Sequence, residues 1–168
     1  MLKYYSKFLD VLEWIAKVFL AVTGIAMVLV LFYQVVMRYC FHSAAAWPEE
    51  LARYLFIYDV MVAAGIAVRR NSHLQIDAFI GKMKPKTKAI FTIISTLIGM
   101  VFLFFLLKYS FTMVQTGKKT MCMALPFSMA VPYSCIPVGV IMMLLASVEV
   151  IFRNVEIAKS TSEEGETA

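Results

Sequence analysis

Long runs without a charged side chain alternate with short charged segments along this sequence. Residues 18–37 contain no Asp, Glu, Lys or Arg, and neither do residues 89–107. Twenty helical residues extend about 30 Å, which matches the hydrocarbon core of a bilayer. The pattern therefore predicts transmembrane helices at 18–37 and 89–107.

A shorter apolar run predicts another span, which begins with charged residues. The run 54–68 carries a single charge, Asp59, and is too short to cross a bilayer alone. Pro48 fits the first turn of a helix, where its missing N–H costs nothing. We therefore expect a span at 48–68 whose charged first turn lies at the membrane surface.

The longest uncharged run, 120–148, contains three prolines in its first part. We expect residues 120–130 to form a loop at the membrane edge and residues 131–152 to form the fourth span. A proline inside a helix removes one backbone hydrogen bond, so Pro137 predicts a kink.

Three segments outside the spans have their own patterns. Residues 1–17 place apolar and charged side chains on different helical stripes, which predicts an interfacial lead-in helix. Residues 75–84 repeat apolar positions at i, i+3, i+4 and i+7, which predicts a helix on the membrane surface. The polar tail, 159–168, is expected to be disordered.

Composition agrees with a membrane location. The 168 residues are 61% hydrophobic, with a mean hydropathy of +0.78, far above the norm for soluble domains. The net charge of +5 is no signal for nucleic acid, because the basic residues lie between apolar runs. We predict an all-α integral membrane protein with four transmembrane helices in a single domain, 1–168.

Motifs for catalysis or for a resident cofactor are absent from the sequence. It contains no nucleophile motif, no glycine-rich phosphate loop and no zinc spacing, and its three cysteines lack metal or disulfide spacing. The two histidines, His42 and His73, fall on opposite sides of the predicted membrane, which disfavours a haem held by both. We expect neither an enzyme nor a cofactor or metal.

Basic residues distribute unevenly across the predicted topology. One side, which holds both termini and the 69–88 loop, carries eleven, and the other carries five. Because Lys and Arg are enriched in cytoplasmic segments, both termini are predicted to be cytoplasmic. The eleven are Lys3, Lys7, Lys17, Arg69, Arg70, Lys82, Lys84, Lys86, Lys88, Arg153 and Lys159; the five are Arg38, Arg53, Lys108, Lys118 and Lys119.

The start of the second span carries a charged cluster. Arg53 follows Glu49 by four residues and Glu50 by three, so it can reach either carboxylate on one helix face. A solvated helix start with a weak surface pair explains this spacing, and so does a polar contact to a partner. The short apolar run favours the partner contact, because it draws the cluster toward low dielectric.

Two further features of this span predict helix contacts. Asp59 lies well inside the span, where an ionisable group is a functional candidate. We favour a helix or subunit contact over transport chemistry, because the span supplies no second ligand. Ala63 and Ala67 are four apart, a spacing at which small residues let helices approach closely, although alanine is also simply common in such helices.

The charged start of the second span and the segment after it resemble one family. The chain is similar to the small, DctQ-like membrane subunit of tripartite ATP-independent periplasmic (TRAP) transporters, over most of residues 10–153. Asp59 departs from the family's pattern, in which an apolar or aromatic residue is expected. The matching residues are Trp47, Glu49, Glu50, Arg53, Tyr54, Arg69, His73, Ile76 and Asp77, with Pro126, Tyr133 and Pro137 before the last helix.

The resemblance implies a subunit of the bacterial inner membrane rather than a complete carrier. In the family a large multi-span partner moves substrate and sodium, a periplasmic binding protein delivers an organic acid, and the small subunit is a static scaffold. The implied substrate is of the C4-dicarboxylate or sialic acid class. The partner interface is then expected at Trp47, Glu49, Glu50, Arg53, Tyr54, Asp59, Ala63 and Ala67, and anchoring in the bilayer interface at Arg69, Arg70, His73 and Asp77.

Two other classes of membrane protein remain as alternatives. One is a self-sufficient four-span carrier of the small multidrug type, which uses a carboxylate in its first span. This chain has none in 18–37. The other is a membrane anchor for a peripheral enzyme, which the absence of cofactor ligands disfavours.

Overall fold

Five helices make up the described part of the chain. The computed structural model describes residues 2–43, 45–70 and 85–164. The helices are α1 (Leu2–Cys40), α2 (Trp47–Arg69), α3 (Pro85–Gly117), the short α4 (Ala130–Tyr133) and α5 (Cys135–Glu164). Four candidate spans are long and apolar enough to cross a membrane, the last combining α4 and α5, and the described residues form no β-strand. The predicted all-α membrane fold is confirmed.

The first helix is longer than its predicted span. Residues 1–17 were expected to form an interfacial lead-in helix, and α1 continues without a break from Leu2 to Cys40, so the lead-in and the first span are one helix. Leu9 and Ala16 are buried, so this part of α1 packs against the rest of the protein. The amphipathic pattern of 1–17 thus coincides with contact to other helices, and the interfacial location stays a prediction.

The other helix ends also differ from the predicted bounds. Helix α2 matches the predicted span 48–68 within one residue at each end, whereas α3 extends beyond 89–107 on both sides. An uncharged run marks only the apolar part of a helix, and lysines continue a helix without cost. Helix α5 continues to Glu164, beyond the predicted start of the tail at 159; residues 159–164 contain neither glycine nor proline. The predicted surface helix 75–84 lies outside the described residues.

The fourth span is interrupted at Ser134, between α4 and α5. Pro137 lacks the N–H that would bond the Tyr133 carbonyl oxygen, so the backbone ladder is weakened at this point. The Tyr58 hydroxyl of α2 lies 2.7 Å from the Val131 carbonyl oxygen and 2.6 Å from the Ser134 Oγ. A side chain of the neighbouring helix therefore binds polar groups at the interruption.

The long helices form an open row rather than a closed bundle. Helix α1 packs mainly on α2, α2 on α5, and α5 on α3, so α1 and α3 are the two outermost helices. Large apolar side chains of these outer helices are exposed, including Phe32 at 66% and Phe104 at 64%. Such exposure is expected where lipid or another subunit covers the helix.

Glycines bring the two central helices, α2 and α5, close together. A Cβ on Gly65 would lie 2.9 Å from the Met142 Cβ, and one on Gly139 would lie 2.8 Å from the Met61 Cβ. Small residues allow this close approach in membrane helices, where backbone packing contributes much of the association. The core of the row is therefore the α2–α5 pair.

Candidate functional site: polar contacts at the two ends of helix α2

Arg69, at the end of α2, binds carboxylates of two other helices. Its Nε donates to the Glu149 Oε2 at 2.7 Å, its Nη1 to the Glu13 Oε2 at 2.6 Å, and its Nη2 to the Asp10 Oδ1 at 2.6 Å. The Arg69 side chain is 13% exposed, and those of Glu13 and Glu149 are 12% and 14% exposed. The forked guanidinium suits such a site, because its five donors hold several carboxylates at once.

Two more cations complete this group of charges. Glu13 Oε1 accepts from Lys17 at 2.6 Å and from Arg70 at 2.8 Å. We call the six residues the arginine cluster: Asp10, Glu13, Lys17, Arg69, Arg70 and Glu149. Three carboxylates face three cations and tie α1, α2 and α5 together, which is a structural arrangement rather than a catalytic one.

Glu50, at the other end of α2, holds a loop. Its Oε1 accepts from the Met123 backbone N–H at 3.0 Å and its Oε2 from the Ala124 N–H at 2.6 Å. The Tyr54 hydroxyl donates to the same carboxylate at 2.6 Å. We call this set of contacts the glutamate anchor. It fixes the loop between α3 and α4 to the start of α2.

The charged cluster predicted around Glu49, Glu50 and Arg53 is divided in the structure. Arg53 Nη2 donates to Glu49 Oε1 at 3.2 Å, and the side chains of both residues are about two-thirds exposed, at 66% and 64%. Glu50 instead points to the loop. Trp47 packs on Tyr33 of α1, with ring centroids 5.6 Å apart. The exposed pair and the glutamate anchor are thus neighbours with different environments.

Asp59 contacts another helix of the same chain. The Thr23 hydroxyl of α1 hydrogen-bonds with the Asp59 carboxylate, and Thr23 itself is buried. On the same helix α2, Ala63 is exposed and Ala67 is half-buried. The close approach to α5 is made by Gly65 instead, so Ala63 leaves an open surface on the row.

The residues predicted to anchor the chain in the bilayer interface do not form one site among the described residues, and two carboxylates of the arginine cluster were not predicted. His73 and Asp77 lie outside the described residues, while Arg69 is largely enclosed in the arginine cluster and Arg70 is 58% exposed. Glu13 and Glu149 were not identified from the sequence. The available signal was that Glu149 directly follows the uncharged run 120–148, where a carboxylate needs a partner, and that Glu13 lies one helical turn before Lys17. Across the described residues, no group of His, Cys, Asp and Glu could hold a metal ion.

Similar stretches occur in known transporter proteins. A stretch of 88 residues is 36% identical to the sialic acid TRAP transporter permease protein SiaT of Haemophilus influenzae, covering 52% of this chain and 13% of that protein. Another of 63 residues is 38% identical to the sialic acid TRAP transporter small permease protein SiaQ of Vibrio cholerae, covering 38% and 36%. The C4-dicarboxylate TRAP transporter small permease protein DctQ of Vibrio cholerae is 28% identical over 82 residues, covering 49% and 35%. In each case the match spans less than two thirds of the relative.

A family model matches most of the chain. The model describes tripartite ATP-independent periplasmic transporters, DctQ component, and it matches residues 27–156. This range includes α2, α3, α4 and most of α5, and with them the glutamate anchor. Asp10, Glu13 and Lys17 of the arginine cluster lie outside it. Together with the four apolar spans, this match identifies a multi-pass protein of the inner membrane that is a transport component and not an enzyme. The chain therefore belongs to the DctQ component family of the tripartite ATP-independent periplasmic transporters.

Proposed function

We propose that this chain is the small permease subunit of a sodium-coupled TRAP transporter, in which it is a static scaffold for a large transport subunit. The observation that carries the proposal is the family match over residues 27–156. The names of its relatives supply two substrate classes, sialic acid and C4-dicarboxylate. The transporter would therefore import an organic acid of one of these classes.

Internal contacts support a static role. The arginine cluster joins α1, α2 and α5 at one end of α2, and Glu50 holds the loop before α4 at the other end of α2. Between them, Gly65 and Gly139 allow close packing of α2 and α5. A unit fixed at both ends suits a scaffold better than a moving carrier, since a carrier alternates access by moving one bundle of helices against another around its substrate site.

A large partner is supported by one relative in particular. The 88 residues aligned with SiaT make up only 13% of that permease protein. A segment similar to this chain is therefore part of a much longer permease, and we infer that a separate large subunit plays the corresponding role here. A periplasmic binding protein would deliver the organic acid to the assembled complex.

The partner interface is proposed on α2 and the adjoining part of α1. Glu49 and Arg53 form an exposed ion pair, Trp47 is 37% exposed, and Ala63 presents a small exposed surface. Polar groups and small residues favour contacts between membrane helices. Glu50 and Tyr54 would contribute indirectly, because they position the loop beside this surface.

The orientation follows from the distribution of basic residues. The structure places the start of α1, the end of α2 and the later part of α5 together at the arginine cluster. This end carries eleven of the sixteen Lys and Arg residues in the predicted topology. We propose that it is cytoplasmic, and that Arg70, His73 and Asp77 help to anchor it in the interface.

Reconstitution tests the scaffold role. The chain alone in liposomes with an imposed sodium gradient should show no uptake of radiolabelled sialic acid or succinate. Uptake should appear when the large subunit and the binding protein are added, and the large subunit should co-purify with this chain. Sodium-driven flux from the chain alone would contradict the scaffold role and favour a self-sufficient carrier.

Cysteine labelling tests the orientation. In intact cells and in a cysteine-free background, Lys118→Cys should react with a membrane-impermeant maleimide, whereas Lys86→Cys should react only after the cells are permeabilised. The reverse pattern would contradict the orientation without affecting the family assignment.

A further inference from the structure

An apolar cavity of about 340 Å³ lies between α2, α3 and α5. Helix α5 lies between α2 and α3 in the row, and the cavity lies where these three helices face one another. No charged side chain contributes to its lining among the described residues. The lining includes Met61 and Val68 of α2, Gly99 and Leu103 of α3, and Met143 and Val150 of α5.

Two of the three hydroxyl groups in the lining, those of Thr96 and Ser147, are bonded within their own helices. Thr96 Oγ1 donates to the Thr92 carbonyl oxygen at 2.7 Å, and Ser147 Oγ donates to the Met143 carbonyl oxygen at 2.8 Å. Each hydroxyl has one proton, so neither has a donor left for a ligand. These surfaces suit hydrocarbon better than water or an ion, because apolar cavities stay dry and take up apolar molecules such as benzene.

The cavity is long and opens toward the surroundings of the row. Along α3 its lining extends from Ser95 to Leu106, which corresponds to about 16 Å of helix. This stretch lies inside the uncharged run 89–107, at the depth of the hydrocarbon core. Phe102, which belongs to the lining, is 64% exposed, so the cavity is accessible from outside the chain.

We propose that the cavity binds one acyl chain of a membrane phospholipid. Side chains that line an unfilled space lack van der Waals partners on one side, so an occupant that fills the space is favoured. In a bilayer the molecule at its opening is phospholipid, whose acyl chain matches an elongated and largely apolar site. This inference concerns a site within the chain itself and does not depend on the proposed large subunit.

A matched pair of glycine substitutions tests the site. A Cβ on Gly99 or on Gly24 would meet no atom within 4 Å, so both positions accept a side chain without a clash at the backbone. Gly99→Leu projects into the cavity, whereas Gly24→Leu lies on α1, away from it. Native mass spectrometry of the full chain in mild detergent would count the bound phosphatidylethanolamine and phosphatidylglycerol molecules.

We expect the species with one retained phospholipid to be present in the wild type and Gly24→Leu and to be lost in Gly99→Leu. Thermal unfolding in the same detergent would show that both variants remain folded. Equal lipid retention in all three proteins, or none in the wild type, would overturn the proposal.

Photo-crosslinking gives a measurement that does not depend on a folded variant. The wild-type chain would be reconstituted with phosphatidylcholine that carries a diazirine in the middle of one acyl chain. Adducts are expected on cavity residues such as Leu103 and Met143, which face away from bulk lipid. Adducts confined to outward residues such as Phe104, with none on the cavity residues, would contradict the acyl-chain site.

Discussion

The two ends of helix α2 are held in different ways. At one end Arg69 binds three carboxylates from α1 and α5, and three of these four side chains are less than 15% exposed. At the other end Glu50 binds backbone N–H groups of a loop, while the neighbouring Glu49–Arg53 pair is open to the surroundings. One end therefore joins helices through largely enclosed ion pairs. The other end positions a loop and carries an exposed ion pair.

This difference separates structure from recognition. A largely enclosed ion network is costly to disrupt, because removing one partner leaves charges without compensation. An exposed pair contributes little to the isolated chain but remains available to another subunit. We therefore propose that the arginine cluster stabilises this chain and that the Glu49–Arg53 pair contacts the partner subunit.

Loss of Arg69 should have the largest effect. Arg69→Ala leaves Glu13 and Glu149 largely enclosed with fewer cations, so we expect destabilisation of about 3 kcal/mol, the lower part of the range for broken buried ion pairs, because Asp10 stays solvated. Arg69→Lys should be intermediate, since lysine lacks the fork. Thermal unfolding in detergent would measure this, with the exposed Arg153→Ala as control. Equal midpoints for Arg69→Ala and the control would contradict the assignment.

Loss of Glu50 should have a smaller and more local effect. Glu50→Ala removes the acceptor for the N–H groups of Met123 and Ala124, so their amide hydrogens should exchange faster with solvent. Glu50→Gln keeps one acceptor oxygen and should be intermediate. Hydrogen exchange measured by mass spectrometry on the 120–129 peptide would show this, with Glu49→Ala as the matched control. Unchanged exchange in Glu50→Ala would mean that the loop is held by other contacts.

Arg53→Ala should have the smallest effect on the isolated chain. Its pair with Glu49 is exposed, and such pairs contribute at most about 1 kcal/mol. If the partner covers this pair, the same substitution should lower the amount of co-purified large subunit per chain while the unfolding midpoint stays the same. Undiminished co-purification in Arg53→Ala would remove the pair from the proposed interface.

Local pattern in the sequence predicted most of the fold. The apolar runs predicted four spans, because apolar length largely determines whether a helix can cross the bilayer. The spacing of Glu49 and Arg53 correctly indicated an ion pair, since residues four apart share a helix face. For Asp59 we favoured a helix or subunit contact, and the structure shows a contact to Thr23 of α1.

Long-range partners could not be read from the sequence. Arg69 meets Glu13 and Glu149, which are 56 and 80 positions away, and no periodicity links such distances. For the same reason Glu50 was grouped with Arg53 by spacing, although it binds a loop 73 positions away. The order of helices in the row was likewise hidden, because four apolar helices can be arranged in several ways with the same pattern.

The order of the arginine-cluster residues along the sequence has a consequence for how the chain is inserted during its synthesis. Asp10 and Glu13 are synthesised first, Arg69 and Arg70 later, and Glu149 only with the last helix. During synthesis Arg69 can therefore meet the carboxylates of α1 early, as soon as α2 is inserted. The set of three carboxylates and three cations is complete only when α5 has entered the membrane. A ribosome-bound chain that ends before Glu149 would thus carry an arginine with an incomplete set of partners, and insertion of the final helix closes the assembly.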